Sequence, residues 1–99
     1  MPTSDDGYEA LRQRVEQWSA RLSVPVPRVR VRDMSRKWGS CSTIGTITLA
    51  TDLVNQDVGF QDFVIAHELL HLRVPNHGKL FKVFMTAHVP DWRALDIMK

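Results

Sequence analysis

The chain has 99 residues, 43% of them apolar and 24% charged, with 13 Lys and Arg against 11 Asp and Glu for a net charge of +2. That balance fits one small soluble domain and excludes a disordered tail, and burial scaling allows one modest core but not two. A single cysteine, Cys41, excludes an internal disulfide, and no run approaches the roughly 18 unbroken apolar residues of a membrane span. The opening "MPTSDDGYEA" lacks the basic end and apolar run of a signal peptide. The expectation is a cytoplasmic, monomeric protein with one domain over residues 1–99.

In chain order, Tyr8, Leu11, Val15, Trp18 and Leu22 recur at three- and four-residue steps after Ser4, Asp5 and Asp6, each a plausible N-cap. This predicts an amphipathic helix, stopped by "VPVP" at Val24 to Pro27. "RVRVRD" reads as a strand, "SRKWGSCSTIG" as a turn-rich or hairpin segment, and "TITLAT" as a second strand with Ile47 and Leu49 on one face. Asp57 is a candidate cap for a helix from Val58 to Val74, apolar on most sides and ended by Pro75. Asn76 can cap a further helix from His77 to His88, with Leu80, Phe81 and Phe84 inward, and "DWRALDIM" gives a short last helix. The pattern is α+β, with a small, mainly antiparallel sheet and three or four helices.

Three of the four histidines, His67, His71 and His77, fall with Glu68 inside "HELLHLRVPNH". On a helix, His67 and His71 project from one face, one turn apart, so both imidazoles can reach a single cation. Glu68 lies about 100° around from His67, placed to address a water on that cation without ligating it. Buried in an apolar helix without a charged partner, Glu68 would be costly, and a metal removes that cost. Catalytic zinc takes three protein ligands and keeps a fourth position open. His77 is the best candidate for the third, because a turn at Pro75 and Asn76 can fold it back, whereas a continuous helix would carry it about 9 Å beyond His71. The spacing equals that of the metzincins, but Val74 stands where they have glycine, so the reversal calls for a tight turn with His77 in the first turn of the next helix.

The remaining residues have quieter readings. "RVRVRDMSRK" concentrates basic side chains that can touch phosphate, although the alternation of Val29 and Val31 with Arg28, Arg30 and Arg32 favours a strand with a solvated face. Cys41 is a small turn residue before it is a metal ligand or a latency switch. His88 suits the C-terminal end of its helix. Trp18, Trp38 and Trp92 read as core, as does Tyr8.

With "RKWGSCSTIGTITL", then "VIAHELLHLRVPNHGKLFKVF" and "VPDW", the sequence resembles the YgjP-like metallopeptidases, small zincins related to the SprT-like proteins, from about Leu11 to Lys99. The resemblance implies a minimal zincin fold, one Zn²⁺ held by His67, His71 and His77, Glu68 as catalytic base, and "WGSCS" as a turn feeding a strand beside the cleft. It also implies a chain matching the second half of relatives about twice as long. His88 falls where relatives often carry an aromatic hydroxyl residue; with Tyr8 read as core, His88 and Arg93 are the candidates for an oxyanion donor.

The function expected is that of a zinc metallopeptidase acting on an extended peptide, paired as an added strand along Gly45 to Ala50. A different class remains open, a weakly active or non-catalytic zinc-containing module that docks nucleic acid or a protein through its basic strand. So does a zinc hydrolase of non-peptide amides.

Overall fold

The computed structural model describes residues 3–74 and 76–96. Its elements are α1 (Thr3–Leu22), β1 (Arg28–Arg32), β2 (Gly39–Cys41), β3 (Thr46–Ala50), a 3₁₀ turn (Thr51–Asn55), α2 (Val58–Leu70), α3 (Lys79–His88) and α4 (Trp92–Asp96). The α+β class holds. No helix among the described residues is long and apolar enough to cross a membrane.

Leu11, Val15, Trp18 and Leu22 make the buried stripe of α1, and Tyr8 is only half-buried. The helix starts at Thr3, so Ser4, Asp5 and Asp6 are helical residues and not caps. It ends with Val24 N–H bonded to Ser19 O at 2.9 Å and Ser23 N–H to Ala20 O at 3.3 Å. This is the paired Schellman closure, here with Ser23 at φ 56° in the place glycine usually takes.

The sheet is mixed, where a mainly antiparallel one was expected. Its order is β1-β3-β2, with β1 parallel to β3 in the register Arg28 to Thr46 through Arg32 to Ala50, and β2 antiparallel to β3. From β1 the chain passes to the far edge as β2, then turns at Ser42–Gly45 and inserts β3 between the two. Gly45 donates its N–H to Ser42 O at 3.2 Å with φ 89°, a left-handed conformation natural to glycine. The order suits the sequence: β3 carries no charge and buries Ile47, Leu49 and Ala50, and the arginine-bearing β1 lies at an edge. The expectation of a free edge along Gly45 to Ala50 is therefore overturned, because β3 is hydrogen-bonded on both sides.

Against the inner face of the sheet lies α2, buried from Phe60 to Leu70 except at Asp62, as its all-round apolar sequence requires. Asp57 takes its N-cap position through the backbone, without a side-chain capping bond. Gln61 is buried but satisfied, its Nε2 donating to Leu53 O at 3.0 Å and reaching Gln56 O at 3.2 Å, which ties the 3₁₀ turn to α2. Asp62 accepts from Trp18 Nε1 at 3.0 Å and from Arg14 at 2.9 Å, joining α1 to α2.

Candidate metal centre

The last turn of α2 carries His67 and Glu68, and His71 is its C-cap. The expected helix to Val74 gives way there to tighter winding, with Leu72 N–H on Leu69 O and Arg73 N–H on Leu70 O, both at 3.0 Å. These bonds reach back three residues instead of four, which shortens the path to the reversal. His77 then sits in the connection before α3, ahead of the N-cap Gly78, and not in the first turn of that helix. Asn76 is not the cap.

The fold brings the three histidines together. One ring nitrogen from each of His67, His71 and His77 lies within 4.8 Å of the others, and the Nε2 atoms of His67 and His77 are 3.1 Å apart. Phe81 on α3, expected only as a core residue, meets all three rings with centroid distances of 5.3, 5.1 and 4.8 Å. It forms an apolar backing that limits where the imidazoles can swing. Glu68 is 4% exposed, with Oε2 3.2 Å from His67 Nδ1.

A cavity of about 600 Å³ opens in front of this group, lined by Lys37, Gly39 to Thr43, His67, Glu68, His71 and Leu72. One wall is thus β2, an edge strand. Gly39 explains the glycine of "WGSCS": a Cβ there would lie 3.2 Å from Glu68 Cγ and from Val64 Cγ1, and 3.3 Å from Thr48 O. Only a hydrogen lets the strand come this close to the glutamate stem. Cys41 lies on the same wall; burial first, and the Glu68 charge second, push its thiol above the ordinary range. It therefore stays protonated near neutral pH.

His88 is not brought to this group. Its ring packs edge-on against Trp18 with centroids 6.5 Å apart, and it is not among the residues lining the cavity. Arg93 stacks over Trp92 at 4.9 Å and borders a different hollow, beside Lys79 and Lys82 on α3. Of the wall residues, Gly39 and Ser40 belong to the "WGSCS" that the resemblance sets beside the cleft, whereas Lys37 was not anticipated there.

A model of the YgjP-like metallopeptidase domain matches residues 5–96. The chain belongs to the YgjP-like metallopeptidase family. Among solved structures, the chain is similar to the metallopeptidase zymogen jannalysin of Methanocaldococcus jannaschii, with TM-score 0.78, 20% identity and coverage of 89% of this chain and 91% of that one. It is also similar to the zymogen abylysin of Pyrococcus abyssi, with TM-score 0.76, 26% identity and coverage of 88% and 87%. No curated protein matches the chain. The family implies a peptidase that needs a metal, and among the described residues the three histidines are the group that could hold one.

Proposed function

We propose that the chain is a zinc-dependent endopeptidase that cleaves extended peptide segments in the cleft between α2 and β2. The observation that carries this reading is the convergence of the His67, His71 and His77 nitrogens beside a buried glutamate. Three imidazoles are a donor set typical of catalytic zinc. Two nitrogens on one tetrahedral zinc, each at about 2.0–2.1 Å, lie about 3.3 Å from each other, close to the separation of the His67 and His77 Nε2 atoms. The one such cluster among the described residues implies one ion per chain.

Bound there, zinc would polarise the scissile carbonyl and make a water acidic near neutral pH. Glu68 would take the proton of the attacking water and pass it to the leaving nitrogen. Its carboxylate is held for that task by burial, by the His67 ring and by the close passage of Gly39. Since β3 has no free edge, an extended substrate would add to the open side of β2, bonding to the main chain of Gly39–Cys41 with little regard to side chains. The reading gives His88 no catalytic role, because its ring is engaged with Trp18.

The test is Glu68→Gln in zinc-loaded protein against a fluorogenic peptide library. We expect stoichiometric zinc to remain and turnover to fall by about 10²–10⁴. Unchanged turnover in that variant would remove Glu68 from the chemistry, and a zinc-loaded wild type that leaves every peptide intact would remove the peptidase reading.

A further inference from the structure

We infer that the outer face of the sheet is a docking surface for duplex nucleic acid, bound through its phosphate backbone without regard to sequence. This rests on the face of the sheet turned away from α2, which meets the wall of the candidate metal centre only at Lys37 and Ser40, and it does not depend on the peptidase reading.

Arg28, Arg30 and Arg32 all project from β1 on the face turned away from α2, and all are exposed, while Val29 and Val31 turn inward. Alternate residues of a strand lie about 6.6–6.8 Å apart. The three guanidinium groups therefore form a straight row of a length that a sugar–phosphate backbone, with one charge per nucleotide, can follow. The register sets Thr46 beside Arg28 and Thr48 beside Arg30, with Ser40 beside Thr48, so the row is flanked by hydroxyl donors. Arg36 and Lys37, both exposed, extend it across a hollow of about 390 Å³ lined also by Arg32, Ser40 and Thr48.

Among the described residues, none of Arg28, Arg30, Arg32, Arg36 and Lys37 is ion-paired; the salt bridges there are Arg14 to Asp62 and the His67–Glu68 contact. The one carboxylate bordering the hollow, Asp33, pairs with none of them. Charge on an edge strand does protect against strand-to-strand aggregation, but either sign, or a mixture, would serve that end. A row of one sign next to hydroxyls is complementary to a polyanion. The choice of duplex follows from what the face lacks. Single-strand sites owe much of their affinity to bases stacked on aromatic rings, and no aromatic residue lies on β1, β2 or β3. A duplex turns its phosphates outward and asks for no stacking.

The experiment is fluorescence anisotropy with a labelled random-sequence DNA duplex over a salt series, using zinc-loaded protein. Log affinity should fall against log salt with a slope of about −2.7 if the three β1 arginines each neutralise a phosphate, and about −4.5 if Arg36 and Lys37 join them. The triple variant Arg28→Gln/Arg30→Gln/Arg32→Gln should bind at least about tenfold more weakly, its slope shallower by about 2.7, with zinc content unchanged. Should the triple variant fold poorly, Arg30→Gln alone should lower the slope by about 0.9. Lys79→Gln/Lys82→Gln, on α3, should bind like wild type. Equal binding by the β1 variants overturns the inference, as does tighter binding to the separated single strand. Displacement of the duplex by polyglutamate of equal charge would assign the face to acidic protein segments instead and overturn it too.

Discussion

The candidate metal centre has two halves built in opposite ways. His67 and Glu68 come from the most buried stretch of the chain, ringed by Phe63, Val64 and Phe81, whereas His77 comes from an exposed connection between helices. The first half is fixed by the core whether or not a metal is bound. The second owes its position to a short reversal, to Phe81 and to whatever the three rings share. Stability and metal affinity should therefore separate cleanly across the site.

The largest effect that tests this contrast is ligand removal. His67→Ala, His71→Ala and His77→Ala should each weaken zinc binding by more than about 10²-fold, leaving well below one zinc per chain at equilibrium with a chelating buffer. The wild type's affinity for zinc should itself fall as the pH is lowered, since only the neutral ring ligates and protons compete with the ion for it. The halves then diverge in metal-free protein. His67→Ala leaves a gap against Phe63 and Phe81 and strips Glu68 of its neighbour, so its Tm should fall by several degrees. His77→Ala should melt within about a degree of wild type, as an exposed substitution does. Equal losses of Tm would show that the loop half is as much a part of the core as the helix half.

A smaller effect probes the wall facing the glutamate. Gly39→Ala introduces a methyl group 3.2 Å from Glu68 Cγ and 3.3 Å from the Thr48 carbonyl, so the Glu68 stem and β2 must both shift by a few tenths of an ångström. We expect kcat to fall between about 10- and 100-fold with zinc retained, since misplacement of a catalytic group on this scale is costly. Wild-type kcat in that variant would mean that Glu68 is positioned by α2 alone.

The same division governs what the sequence made legible. The helix half is local: a four-residue spacing inside an apolar run marks His67, Glu68 and His71 as candidates with no knowledge of the rest of the fold. His77 could be named, but not placed, because the tightening after His71 and the late start of α3 depend on packing against Phe81. The sheet was harder. Strands adjacent in sequence read as a meander, and only the tertiary fold shows that β3 slides between β1 and β2. A hint was present, since the uncharged "TITLA" suits a central strand and "RVRVR" an edge. His88 could not be placed for a similar reason: nothing local tells that its ring turns to Trp18 on α1.

The inserted position of β3 also has a consequence in time. Cys41 meets Ile47 across the hairpin, six residues on, while Arg28 meets Thr46 only after eighteen. Closing the longer loop costs about 1 kcal/mol more in chain entropy, so the β2–β3 hairpin should form early and offer β3's other side as a template on which β1 assembles. Gly45 sits at the root of that sequence of events. A Cβ there would meet nothing within 4 Å, so a side chain acts only through the left-handed backbone of φ 89°. Gly45→Ala should then slow folding about fivefold and leave the unfolding rate nearly unchanged in a stopped-flow denaturant series. An effect confined to the unfolding limb would mean that the strands join before the turn between them is made.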